Sequence, residues 1–208
     1  MITFFNYFVK ITGWLPAMII LRTRILYEDK TKQSRKIKGA AILVSNHTSV
    51  YDFALYLFVF FFRTLRYQMA EVLYKKKLLA LFLRCMGGIF VNRNNNDLSF
   101  IDKSKRLLAK GKVVGVFPES RLPKEGETRP LPFKSSVVKL ALESGAPIIP
   151  LYTYGNYFTK SRAKVVIGTK FDARSYYDVS KTEKENIEFI TTLLRDRIIK
   201  LGKEYEEK

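Results

Sequence analysis

AILVSNHTSVYDFALYLFVFFF, residues 41–62, is the stretch on which the fold turns. AILVS is a short apolar run with β-branched members, the pattern of a buried strand, and residues 51–62 read as a helix. Between them lies NHTSVYD, polar and turn-forming, which holds the only histidine of the chain, His47, and an aspartate five positions later, Asp52. Strand, polar loop, helix is the opening of a crossover connection, and the chain repeats it downstream. RYQMAE (residues 66–71) reads as a strand and residues 73–86 as a helix. GIFVN (88–92) is a strand, 97–110 a helix, and VVGVF (113–117) a strand. A polar loop over residues 118–132 leads to a helix over 134–143, then to strands in PIIPLYTY (147–154) and AKVVIGTKF (163–171). A last helix starts with a capping box at Ser180 and Glu183 and carries Ile187, Ile190, Leu194, Ile198 and Leu201 on one face. The expected fold is α/β, a largely parallel or mixed sheet covered by helices, with an N-terminal membrane-associating helical segment.

The 208 residues suffice for one domain with a buried core. The 37 Lys+Arg against 19 Asp+Glu give a net charge of +18, which favours a polyanionic partner: nucleic acid, an anionic membrane face or phosphorylated substrates. Cys85 is the single cysteine, so an intrachain disulfide and a cysteine-based metal cluster are excluded; it reads as a small buried hydrophobe. One histidine without cysteines also speaks against a metal site.

The first 21 residues are apolar and aromatic but interrupted by Asn6, Lys10, Gly13 and Pro16. Lys10 would sit near mid-membrane in a spanning helix, at some cost. Two short helices broken around Gly13 and Pro16 and lying in the interface suit the pattern better, anchored by Phe4, Phe5, Phe8 and Trp14. The alternative is an ordinary helix packed on the domain. Arg22, Arg24, Lys30, Lys32, Arg35, Lys36 and Lys38 follow, and would keep the remaining chain on the cytoplasmic side and hold anionic headgroups. The division expected is a membrane-anchoring segment over residues 1–30 and an α/β domain over 31–208.

Open α/β sheets build their sites beyond the carboxyl ends of the strands. His47, Asp52, Arg93, Glu119 and Arg121 all follow strand patterns, so they converge on one edge. On a regular helix a five-residue step separates two side chains by about 140° around the axis. His47 and Asp52 therefore pair only if the chain between them turns irregularly, which Asn46, Thr48 and Ser49 favour. A carboxylate on one imidazole nitrogen fixes the tautomer and leaves the other nitrogen to take a proton from an alcohol during attack on an ester or thioester. On spacing alone, the commoner arrangement is a loop histidine with a capping aspartate nearby.

The surrounding residues add a resemblance. Asn46, His47, Ser49 and Asp52 match the Asn-His-x-Ser-x-x-Asp motif of the glycerolipid acyltransferase family. GGIFVNR, with Gly88 and Arg93, resembles its second motif, and FPESR, with Glu119 and Arg121, its third. FKSS (133–136) and APIIPL (146–151) resemble the segments that follow, so the likeness covers about residues 40–155 in order and spacing. It implies that His47 is the general base on an acceptor hydroxyl, with Asp52 orienting it. It also implies that Gly88 and Arg93 bind the acceptor, Arg93 through its phosphate, and that Glu119 and Arg121 shape or charge the same pocket. The family's acyl donor is a thioester of acyl-carrier protein or coenzyme A, and no bound cofactor is implied. The acceptor implied is the sn-2 hydroxyl of 1-acylglycerol 3-phosphate, yielding phosphatidic acid in phospholipid synthesis.

Two departures matter. Ser120 stands where the third motif has glycine, and its threonine is absent: Arg121 either takes the threonine's place or is the motif's arginine after a one-residue deletion. Residues 70–73 also lack a lysine that many relatives carry before the second motif. These keep other lysolipid or amino-acid lipid acceptors open, alongside a catalytically silent membrane-binding protein of the same fold. The uncharged run 53–62 would wall an acyl groove, face the membrane or lie in the core. The partners expected are an anionic membrane surface, a lysophospholipid and an acyl-carrier protein or acyl-coenzyme A. Nucleic acid is suggested by charge alone, without a binding motif.

Overall fold

A computed structural model of the chain describes residues 1–93, 98–155, 157–158 and 162–206. The asparagine-rich loop after Arg93 and the expected start of the following helix at Asp97 lie outside these residues. The strand, loop and helix that begin at residue 41 form β2 (Ala41–Ser45) and α2 (Asp52–Val59). Around them run α1 (Ile2–Leu21), β1 (Arg24–Tyr27), β3 (Leu65–Ala70), α3 (Lys77–Met86), β4 (Ile89–Val91) and α4 (Ser99–Ala109). Next come β5 (Val113–Val116), α5 (Ser136–Ser144), β6 (Ile148–Thr153), β7 (Lys164–Ile167) and α6 (Glu183–Glu204). The strands form one sheet in the order β1-β7-β6-β2-β5-β3-β4.

Five adjacent strands, from β6 to β4, run parallel, while β7 is antiparallel to β6. Alternation along the central strands sends Leu43, Val113 and Ile149 into one core and Ile42, Val44, Val114 and Ile148 into the other. The first core lies under α1, α2 and α3, with α1 packed on both of the others; the second lies under α4, α5 and α6.

The N-terminal segment differs from expectation. α1 is one continuous helix through Gly13 and Pro16 rather than two. Both halves are held by the body: Asn6 Nδ2 donates to the Met86 carbonyl at 2.9 Å, and Leu21 is buried in the first core. Lys10 is 0% exposed, and its ammonium donates to the carbonyls of Phe60, Phe61 and Arg63 at 3.1, 2.9 and 2.6 Å. These carbonyls lie where α2 ends, at the negative pole of its dipole. The helix therefore turns Asn6 and Lys10 inward and Phe4, Phe8, Ile11, Leu15 and Ile19 outward.

The four residues RILY form β1, which pairs with β7 at the sheet edge. This strand falls within the stretch 1–30 expected to anchor the chain, so the end of that stretch belongs to the sheet. Glu28, just beyond it, accepts from Thr169 N at 2.7 Å and pairs with Arg197 of α6. The capping box of α6 also moves. Both Ser180/Glu183 and Thr182/Glu185 satisfy the pattern, and the structure uses Thr182 and Glu185, in register with buried Asn186, whose amide donates to the Asp178 carbonyl at 2.8 Å. Ser180 bonds Asp178 instead. Residues 55–57, 59 and 60 of the apolar run are core, beneath α1. Cys85 is half-buried, and lines an open apolar groove between α1 and α3 with Phe5, Leu78, Leu79, Leu81 and Phe82.

Candidate functional site

The five parallel strands end on one edge, and each delivers a polar group there. In sheet order these are the segment after β6 with Tyr157, β2 with His47, β5 with Glu119, β3 with Glu71 and β4 with Arg93. β2 ends at Ser45, and the chain then turns irregularly before α2 begins at Asp52, as pairing of His47 with Asp52 requires. His47 Nδ1 lies 2.8 Å from Asp52 Oδ2. The same oxygen accepts the N–H groups of Thr48 at 2.7 Å and Ser49 at 3.0 Å, so the carboxylate wraps back over its own loop. Asp52 is 0% exposed. A buried carboxylate is tolerated only when hydrogen-bonded, and this one is held on all sides.

The imidazole ring stacks on Phe117, with centroids 4.3 Å apart and planes 19° from parallel. Behind Phe117 lies Tyr67, whose ring covers Gly115 of β5: a Cβ at that glycine would fall 2.3 Å from a ring carbon. Glycine is thus required in β5 to seat the aromatic stack. The His47 side chain is 18% exposed, so the ring has one apolar face and a solvent-facing rim.

Glu119 is buried beneath the loop. Its Oε1 accepts the His47 backbone N–H at 2.7 Å and its Oε2 accepts that of Leu131 at 2.8 Å. Burial pushes its carboxyl above the ordinary glutamate range, and the Leu131 and His47 N–H groups oppose that rise. Asn46 joins β2 to β6: its Nδ2 donates to the Thr153 carbonyl and its Oδ1 accepts the Thr153 N–H, both at 2.8 Å.

The two arginines are both engaged by carboxylates. Arg93 faces Glu71 through Nε and Nη2, each at 3.2 Å, and donates from Nη1 to the Ser120 carbonyl at 2.8 Å. That pairing holds Glu71 well below the usual carboxylate range. Arg121 meets Glu127 with two bonds of 2.7 Å, pointing along its own loop. Ser120, between Glu119 and Arg121, has φ 62°, the left-handed conformation that the motif's glycine adopts without strain. Gly88 is not at this edge. It precedes β4, at the opposite end of that strand from Arg93, where a Cβ would meet the Tyr74 hydroxyl at 2.7 Å and Met69 sulfur at 3.0 Å. It is a packing glycine.

Sequence reading missed Glu71 and Tyr157. The lysine missing from residues 70–73 pointed at the first, since Glu71 lies in that segment. The second sits in TYGNYF, an aromatic cluster just after a strand ending on the site edge, which is the signal that marks it.

A family model described as acyltransferase matches residues 24–154. A 1-acyl-sn-glycerol-3-phosphate acyltransferase of Borreliella burgdorferi is 27% identical over 200 residues, covering 92% of this chain and 75% of the relative. One of Bacillus subtilis is 28% identical over 149 residues, covering 69% of this chain and 70% of the relative. The crystal structure of the 1-acyl-sn-glycerophosphate acyltransferase PlsC from Thermotoga maritima superposes with a TM-score of 0.66 at 20% identity, over 97% of this chain and 79% of that one, a likeness of fold.

Proposed function

The chain belongs to the acyltransferase family, and from that premise we propose that it moves a fatty acyl group from a thioester to the sn-2 hydroxyl of 1-acylglycerol 3-phosphate. The observation that carries the reading is the 2.8 Å contact between His47 Nδ1 and the buried Asp52 carboxylate. It fixes a proton on Nδ1 and leaves Nε2 to accept one from the acceptor hydroxyl. The alkoxide-like oxygen attacks the thioester carbonyl, a C–O bond forms, the C–S bond breaks, and His47 passes the proton it took to the leaving thiolate, which departs as the thiol. No covalent enzyme intermediate is needed. Asp52 orients the ring and balances the imidazolium, while Phe117 keeps water off one face.

Arg93 and Arg121 are the groups for the acceptor's phosphate, because a guanidinium offers paired donors to oxyanions. A phosphate dianion carries more charge than the carboxylates of Glu71 and Glu127 and takes over those donors. Glu119 holds the His47 backbone and so sets the height of the ring. The donor is acyl-carrier protein or acyl-coenzyme A, either of them acidic and suited to a chain of charge +18. α1 lies along the cytoplasmic face of an anionic membrane rather than across it, because its two buried polar residues are bonded to the body. Glu71 also favours a second reading, an acceptor whose headgroup carries a cation beside its phosphate.

The test is acyl transfer by purified protein and His47→Ala, with lysophosphatidic acid and competing lysolipids, offering both thioesters and reading product by mass spectrometry. We expect phosphatidic acid from the native chain and a loss of about 10²–10⁴-fold in the variant. A different acylated lysolipid would move the acceptor to the second reading. Equal activity in both proteins would remove His47 as the base, and no turnover with any pair would leave a membrane-binding protein without catalysis.

A further inference from the structure

Among the described residues, the two oxygens of Asp52 accept five hydrogen bonds. Oδ2 takes His47 Nδ1 and the N–H groups of Thr48 and Ser49, all within five positions in sequence. Oδ1 takes the Thr48 hydroxyl at 3.0 Å and, from 105 residues away, the Tyr157 hydroxyl at 2.5 Å. We infer that Tyr157 is a positioning residue for proton transfer: its hydroxyl holds the outer oxygen of Asp52 and sets how much negative charge that carboxylate presents to His47.

Several contacts register the tyrosine. The Asn46–Thr153 amide pair fixes the end of β6 against the loop that carries His47. Gly155 then bends with φ 74°, and a Cβ there would stand 3.1 Å from Thr48 Oγ1, so the backbone passes directly over Thr48. The Tyr157 ring lies 6.0 Å from that of Tyr51. Burial and the Asp52 charge raise its ionisation far above the usual range, so the phenol stays a neutral donor wherever the enzyme works.

An O–H donated to a carboxylate at this distance is charge-assisted and draws electron density toward itself. The Asp52 carboxylate then stabilises an imidazolium less than it would unaided, which keeps His47 able to give its proton to the departing thiolate. Among the described residues, the charged groups bonded to His47 are Asp52 on its Nδ1 and Glu119 on its backbone N–H; Tyr157 acts through the first.

The inference rests on the proposed role of His47, and its test is separable from it. As the chain has one histidine, its imidazole resonances are assigned without ambiguity, and their pH titration by NMR needs no substrate. The full chain in detergent micelles would be compared with Tyr157→Phe, which removes one oxygen, and with Asp52→Asn. The expected result is a curve moved to higher pH by roughly half a pH unit in Tyr157→Phe and to lower pH in Asp52→Asn. Where the native chain turns over, kcat in Tyr157→Phe falls about 3–10-fold with acceptor KM within twofold, a fraction of the general-base contribution. Placing 3-fluorotyrosine at 157, a stronger donor of the same shape, moves the curve the other way and stands in if Tyr157→Phe does not fold. Superposed titration curves with unchanged kcat would overturn the inference and leave Tyr157 a packing residue. Absence of transfer by the native chain would overturn the proposed reaction and leave the titration result standing.

Discussion

The two faces of the sheet are covered by helices of opposite character. α4, α5 and α6 follow the ordinary rule: Ile190, Leu194, Ile198 and Leu201 of α6 face the core. Charged pairs such as Lys184–Glu188, Lys200–Glu204 and Lys105–Glu143 lie outside. On the other face α1 is inverted. It buries Asn6 and Lys10 and exposes Phe4, Phe8, Ile11 and Leu15, and α3 beside it exposes Leu78 and Leu81. The neighbouring Lys75, Lys76 and Lys77 add positive charge at the start of α3. Exposed apolar side chains gathered on two neighbouring helices beside lysines suit the membrane contact proposed above, whereas a single exposed apolar residue such as Phe189 on α6 does not call for one. The difference teaches that one face of the sheet is built for water, while the other carries the apolar surface on which the proposed membrane contact rests.

The sharpest way to break this comparison is to place charge on each face. Phe8→Glu with Leu81→Glu removes two apolar side chains from lipid, roughly 3–6 kcal/mol together, so co-sedimentation with phosphatidylglycerol vesicles should fall a hundredfold or more. Phe189→Glu on the opposite face should leave it unchanged, and an equal loss there would erase the distinction. A smaller effect is expected from Lys10→Met, which keeps the volume but strands three carbonyls; thermal melting should show a loss of about 2–3 kcal/mol. An unchanged melt would mean that the inward ammonium contributes nothing to docking α1. The smallest effect belongs to the conventional face: Thr182→Ala removes the side-chain acceptor of the α6 capping box and should cost about 1 kcal/mol with vesicle binding intact.

What could be read from the sequence follows the range of each interaction. β2, β5 and β6 are apolar runs of four to six residues ending in motif residues, so local pattern suffices for them. β1 is RILY, too short and too basic at its start to stand out, and it becomes a strand only because β7 pairs with it. Overlapping cap signals at 180 and 182 are resolved by Asn186, a side chain that local pattern does not weigh. Lys10 reads as a fault in a membrane helix until its carbonyl partners, 50 to 53 residues away, are seen. At the site edge, the meeting of His47, Asp52 and Glu119 was legible because the first two follow one apolar strand, β2, and the third follows another, β5. The Glu71–Arg93 and Arg121–Glu127 pairs were not, because no motif announces which carboxylate a guanidinium meets.

The buried Lys10 and Asn6 also impose an order on synthesis. The partner of Asn6, the Met86 carbonyl, lies 80 residues further along the chain, and those of Lys10 lie 50 to 53 further. At roughly 5–20 residues per second, the ribosome adds those 80 residues in about 4–16 s. Throughout that interval α1 lacks the Asn6 contact that docks it, and for about its first two thirds the Lys10 contacts as well, so the growing chain carries an apolar helix whose buried polar groups have yet to meet their partners.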